Sequence, residues 1–183
     1  MNKFSLVKGA DAEFLREFQG WTDKIADYLR DFFDGNLGRV RGTRFGDNIA
    51  KITYITERVT MDTDIFRGVR DLQNRLQAGA IVEEDIDFLF LDALASAPWN
   101  VLGNQPETIK GAGTTLMEEL VKESKVLGFE GRIRLYPIQR SEQFYTNIGF
   151  VETSEGDWEL TPEAAERFLE EQRQFWETRR QAR

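Results

Sequence analysis

The sequence predicts a mixed fold, α+β in character, with α/β-like strand–helix–strand units in its second half. Three observations predict it. Stretches with apolar residues at helical spacing alternate with apolar or β-branched runs of strand length. Hydrophobic residues make up 40% of the 183 and charged residues 31%, the mix of a globular chain with a real core. No internal repeat, low-complexity tract or Pro/Ser-rich linker interrupts the pattern, so residues 1–183 read as one domain.

Asp11 caps a first helix, roughly Ala12 to Asp34, with Phe14, Leu15, Phe18, Ile25, Leu29, Phe32 and Phe33 inward and Gly35 closing it. NLGRVRGTRFGDN (36–48) reads as turns around short strands. IAKITYITERV (49–59) is rich in β-branched residues and reads as a strand. MDTDIFRGVRDLQNRL (61–76) places Ile65, Phe66, Val69, Leu72 and Leu76 on one helical face, ended by the AGA at 78–80. IDFLFLDALAS (86–96) is a nearly continuous apolar strand, of the kind covered on both faces. A long connection, APWNVLGNQPETIK, leads to Gly111 and Gly113 and a helix with Leu116, Met117, Leu120, Val121 and Leu127 inward, ended by Gly128. GRIRLYPI (131–138) is a strand, SEQFYTNIG a short helix, and GFVET and DWELT two final strands. Thr161, Pro162 and Glu163 start a last helix as cap, first-turn proline and first-turn acid. Its apolar face, Ala164, Ala165, Phe168, Leu169, Phe175 and Trp176, packs on its own domain or forms a homodimer.

Composition removes several chemistries. There is no Cys and no His, which excludes disulfides, thiolate and imidazole metal sites, a Ser-His-Asp triad and a His base. No metal is expected. The net charge of −8 speaks against a whole-surface nucleic-acid binder and suits a cationic substrate such as an amine. RVRGTR (39–44) and the terminal RRQAR are local basic clusters that read as solvated surface. No apolar run is long enough to span a bilayer, so no membrane partner is expected. The N-terminus shows no apolar h-region or cleavage site, so a cytoplasmic location is expected.

The stretch KGAGTTLMEEL (110–120) joins two glycines to a helix start. It is no Walker A loop, because GxxxxGK[ST] is absent, and it is no dinucleotide fingerprint, because Leu116 stands at the third glycine position. Two readings stay open on these residues alone. Converging N–H groups and the positive helix end can hold phosphate, helped by Thr114, Thr115 and Lys110; or the glycines simply turn the chain into a helix.

Three blocks, in order, carry a resemblance to the GNAT superfamily of acyl-CoA-dependent N-acyltransferases: LDALASAPWN (91–100), KGAGTTLMEEL (110–120) and FYTNIGF (144–150). The family pattern is a strand ending in LAVxP, then [QR]xxGxG[AT] opening a helix, then a strand, then FYxxxGF. The APWN form and the ELTPEAAERFL tail look like a bacterial subgroup of unassigned substrate, while residues 1–80 are divergent. The resemblance implies a central, mixed, mostly antiparallel twisted sheet flanked by helices and splayed between the strands at 87–96 and 131–138. It implies acetyl-CoA as co-substrate, with its pyrophosphate on the amides of Lys110, Gly111, Ala112, Gly113, Thr114 and Thr115. It implies that the pantetheine arm pairs with Leu94, Ala95 and Ser96, whose amides polarise the thioester. Tyr145 is then the acid for the departing thiolate. The chain departs from the pattern at Thr108, where Gln or Arg is usual, and at Ala97, where His is frequent. The Asn often found after the next strand is also missing.

Acyl transfer to an amine needs a base, since an alkylammonium has a pKa of roughly 10. Asp92 is the candidate base or amine-binding group: set among apolar residues, its carboxyl is expected to titrate high. The plainer readings are an acid paired with Lys or Arg for Asp92, and an aromatic packing the short helix for Tyr145. The function expected is an N-acetyltransferase acting on a primary amine of a small molecule or protein, by direct attack in a ternary complex. The alternative is an inactive binding or regulatory module on the same fold.

Overall fold

The structure is a computed structural model that describes residues 3–181, with side chains through Thr178. The side chains of the terminal basic run lie outside the described residues. In chain order the strands and helices are β1 (Phe4–Lys8), α1 (Ala12–Phe33), α2 (Arg44–Met61), β2 (Phe66–Asp71), β3 (Leu76–Glu84), β4 (Leu89–Ser96), α3 (Pro98–Val101), α4 (Ala112–Val126), β5 (Ile133–Leu135), α5 (Glu142–Ile148), β6 (Val151–Glu152), β7 (Trp158–Leu160) and α6 (Pro162–Gln181). The strands form one sheet in the order β1-β2-β3-β4-β5-β7-β6. The β1–β2, β2–β3, β5–β7 and β6–β7 pairs are antiparallel and β4–β5 is parallel. The β4–β5 pairing holds only Leu89↔Ile133 and Phe90↔Arg134, while β4 runs on to Ser96.

The chain divides into two compact units. Of the described residues, one comprises 4–81 and 93–113, the other 3, 82–92 and 114–181.

The first unit is built on α1. Asp11 caps it by accepting from Phe14 N at 2.8 Å, as expected. The buried stripe is Phe14, Phe18, Trp21, Ile25 and Tyr28. Leu15 (53% exposed) and Phe32 (56%), expected inward, face solvent, because the larger Trp21 and Tyr28 set the angle of the stripe. The Phe14 ring lies 4.1 Å from that of Phe66 on β2. That ring explains two glycines: a Cβ at Gly79 would come within 2.7 Å of it, and one at Gly68 within 2.9 Å.

Two expectations fail in this unit. Residues 49–59 are not a strand but the body of α2. Their buried positions, Ile52, Ile55 and Val59, continue the helical spacing set by Phe45 and Asn48, and Thr43 caps the helix by accepting from Gly46 N. Burial of one face outweighs the weak β preference of the branched residues. Residues 65–76 are not a helix but the hairpin of β2 and β3. Asp71 accepts from the N–H groups of Gln73 and Arg75, and Asn74 sits at φ 61, which closes a turn where a helix would run on. The small AGA residues lie inside β3 under Phe66 rather than ending a helix. Strand β1 is an element the sequence did not distinguish, and the 36–48 segment is a short 3-10 turn plus the start of α2 rather than strands. Arg39, Arg41 and Arg44 are exposed, as read.

In the second unit α4 buries Leu116, Met117, Leu120 and Val121 completely, whereas Leu127 lies beyond its end and is exposed. Gly131 (φ 90) lets the chain pass α6: a Cβ there would come within 2.7 Å of Ala165 Cβ. Thr161 caps α6 through Ala164 N, and Ala164, Ala165 and Phe168 are buried while Phe175 is exposed.

Candidate functional site

Strand β4 alternates. Leu89, Leu91, Ala93 and Ala95 are buried, while Phe90, Asp92, Leu94 and Ser96 are half-buried on the other face. Neither face of β4 is exposed, and the face that carries Phe90, Asp92, Leu94 and Ser96 is the less covered of the two. The period of two puts Asp92, Leu94 and Ser96 on one face of β4. Both polar backbone groups of Ser96 are engaged by one side chain of α2: Asn48 Nδ2 donates to Ser96 O at 2.8 Å, and Ser96 N donates to Asn48 Oδ1 at 3.0 Å.

The connection from β4 to α4 is pinned by a buried glutamine. Gln77, wholly buried on β3, donates from Nε2 to Asp71 Oδ2 at 2.8 Å. Its Oε1 accepts from Trp99 Nε1 at 3.0 Å and from Asn100 Nδ2 at 2.9 Å, and its backbone oxygen accepts from Ala97 N at 3.0 Å. Asn100 Oδ1 in turn accepts from Ile109 N at 2.8 Å. Thr108 Oγ1 donates to Trp99 O at 2.7 Å. The Thr108 hydroxyl is thus spent on the connection itself. At the outer end Lys24 on α1 donates to Glu107 Oε1 at 2.9 Å. Trp21 meets Trp99 edge to face at 6.3 Å, so Trp99 anchors the loop on α1.

The connection delivers the chain to Gly111 at φ 98, a left-handed value that L side chains rarely adopt. A Cβ at Gly111 would meet nothing within 4 Å, so backbone conformation and not space calls for glycine. Helix α4 begins at the next residue and has no acidic residue in its first turn. The first four N–H groups of a helix, counted from its cap, lack intrahelical acceptors, and here they belong to Gly111, Ala112, Gly113 and Thr114. Ala112 and Thr115 are buried, Gly113 and Thr114 half-buried, and Lys110 and Gly111 exposed. Donors of this kind, at the positive end of a long helix anchored by four buried residues, match a phosphate anion.

Tyr145 lies on α5, where the left-handed Gly149 (φ 113) ends the helix. The Tyr145 ring is buried edge-on between Phe144 at 5.1 Å and Phe150 at 5.4 Å. Burial pushes its phenol well above the ordinary tyrosine value, so it holds its proton at neutral pH. Asp92 is half-buried and so is not enclosed by apolar groups as expected. Among the described residues no group of three or more carboxylates is placed to hold a metal, and no helix is long and apolar enough to cross a membrane.

Two side chains of these networks, Asn48 and Gln77, were not among the candidates. Helical periodicity over 45–59 would have put Asn48 on the buried face of α2, an anomaly that asks for a partner. Gln77 carried no signal, since its stretch read as a helix end.

No family model and no curated protein matches the sequence. Solved structures do match. A GNAT-family acetyltransferase from Staphylococcus aureus MU50 is 14% identical, with 87% of this chain and 99% of that one covered at a TM-score of 0.51. The PaiA N-acetyltransferase of Thermoplasma acidophilum, solved in complex with coenzyme A, is 16% identical, with 86% and 98% covered at a TM-score of 0.50. The fold of this chain is that of the GNAT acetyltransferases.

Proposed function

We propose that the protein moves an acetyl group from acetyl-CoA to a primary amine, by direct attack in a ternary complex. The observation that carries this reading is the left-handed turn at Gly111 opening into an N-terminus of α4 free of acidic side chains, within the GNAT fold. The residues suit the co-substrate. The amides of Lys110, Gly111, Ala112, Gly113, Thr114 and Thr115 hold the pyrophosphate, with Lys110 adding a point charge. The backbone of Leu94, Ala95 and Ser96 aligns the pantetheine arm and polarises the acyl carbonyl.

Acetyl-CoA supplies an activated acyl carbon and a thiolate leaving group. The chain supplies position and protons. Asp92 accepts a proton from the ammonium form of the acceptor, so that the free amine forms the new C–N bond. Tyr145 donates its phenolic proton to sulfur as the C–S bond breaks, and the proton lost by the amine restores it through solvent. The chain has no Cys, so no thiol nucleophile is present to carry the acetyl group, which favours direct transfer.

Isothermal calorimetry with acetyl-CoA, followed by transfer of radiolabelled acetyl groups to a panel of primary amines and lysine peptides, tests the reading. Saturable binding with label in an amine product is expected. No binding of any CoA thioester at millimolar concentration would overturn it. Binding without transfer to any amine would instead favour the inactive module.

A further inference from the structure

A primary carboxamide presents the same pair as a peptide, an acceptor oxygen beside a donor N–H. Asn48 presents that pair to a single residue of β4, through Nδ2 to Ser96 O at 2.8 Å and Oδ1 to Ser96 N at 3.0 Å. The direction of these groups matters. The N–H of the next residue, Ala97, donates to Gln77 O on β3. Backbone groups of successive residues in an extended chain point to opposite sides, so those of Ser96 face away from β3. A strand residue with both polar groups turned outward is where a further strand, or a peptide-like ligand, pairs. Asn48 is only 7% exposed, so water does not readily replace it there.

We propose that Asn48 is a stand-in for the cofactor: its carboxamide occupies the Ser96 backbone and is displaced when the amide-bearing arm of an acyl-CoA pairs with β4. The proposal rests on the acyl-CoA reading, which puts that arm on Leu94 to Ser96. The arm carries secondary amides, with the same donor and acceptor that Asn48 offers. Cofactor binding at Ser96 is then an exchange of hydrogen bonds and not a gain, and Asn48 sets how tightly the end of β4 takes a thioester. A residue that only braced β4 would act in the opposite sense, since its loss would loosen the strand and weaken binding.

Calorimetry with acetyl-CoA on the full chain, comparing the wild type with Asn48→Ala and Asn48→Asp, separates the two. Displacement predicts that Asn48→Ala binds about tenfold more tightly, the worth of two modest hydrogen bonds no longer opposing the ligand. Asn48→Asp keeps an acceptor for Ser96 N–H but sets a charge against Ser96 O, and should also bind more tightly than the wild type. A second readout does not need the variants to fold well. The side-chain NH2 signals of Asn48 in a nitrogen-15 spectrum of the wild type should move when acetyl-CoA saturates the protein. A wild type that binds while Asn48→Ala binds no tighter, or while the Asn48 signals stay fixed, overturns the proposal and leaves the acyl-CoA reading standing. If neither the wild type nor the variants bind any CoA thioester, the acyl-CoA reading falls and the proposal falls with it.

Discussion

Gln77 donates to the carboxylate of Asp71 at 2.8 Å with both side chains buried, and this contact joins the two strands of the β2–β3 hairpin at the residue that also holds the connection to the glycine turn. Asp71 uses the rest of its lone pairs locally, on the N–H groups of Gln73 and Arg75 and on the Arg75 guanidinium at 2.9 Å. Gln77 uses its oxygen on Trp99 and Asn100. A fully satisfied buried network of this kind fixes one geometry, because each member left unpaired would cost a desolvated polar group.

Asp71→Asn should therefore destabilise the fold by about 2–3 kcal/mol, the scale of hydrogen bonds to a charged group. Urea unfolding measures it. Burial works to raise the Asp71 pKa, but the hydrogen bonds from Arg75 and Gln73 outweigh it and hold the carboxyl below the usual aspartate range. The native pKa is thus the lower one, and the unfolded chain binds the proton first. The contribution is present above the unfolded value of roughly 3.9 and is lost as pH falls from there through the native value. In Asp71→Asn that part of the acid limb should flatten.

Asn100→Ala breaks the tie between Gln77 and Ile109 N. It should weaken acetyl-CoA binding through misplacement of the glycine turn, with a smaller effect on global stability. Gln77→Leu should do the same, and the double variant should be less than additive because the two side chains belong to one network. Additive losses in calorimetric affinity would show that the connection is not held through Gln77.

Gly111→Ala tests the turn itself. An alanine has room but not conformation: at φ 98 it is strained by about 1–2 kcal/mol. The expected result is a modest fall in Tm with a larger proportional loss of CoA affinity, since the chain relaxes by reorienting the amides that open α4. Gly103→Ala, at an exposed loop position with nothing within 4 Å of a Cβ and no positive φ, is the control and should bind as the wild type does.

What the sequence made legible follows from range. The β4, α4 and α5 segments were readable because their signals are local: an apolar run, a glycine before a helix with four inward residues, and FYTNIGF closed by a left-handed glycine. The mixed, mostly antiparallel sheet could be expected from the resemblance, and the strand pairings match it. Residues 49–59 were misread because branched side chains carry a β preference that one buried helical face overrides. Residues 65–76 were misread because Ile65, Val69, Leu72 and Leu76 fall at helical spacing by coincidence, while Asp71 and Asn74 hold the turn. Asn48 lies 48 residues from Ser96 and Gln77 lies 23 from Asn100, and both pair partly with backbone atoms that look alike in any sequence. No local pattern marks such contacts.

Tyr145→Phe separates packing from chemistry. The ring is held edge-on between Phe144 and Phe150, and phenylalanine keeps both contacts, so folding and acetyl-CoA affinity should change little. If the phenol protonates the departing thiolate, turnover should fall tenfold or more. An unchanged rate would refute the acid role and leave Tyr145 as a packing residue. The pH dependence adds an independent check. Burial raises the native pKa of the phenol, so below roughly pH 10, the unperturbed value, its ionisation should cause no loss of activity. The unfolded phenol ionises first, so above that pH the unfolded state has lost a proton that the native state keeps. Stability should therefore fall as pH rises through this range, and Tyr145→Phe should remove part of that slope.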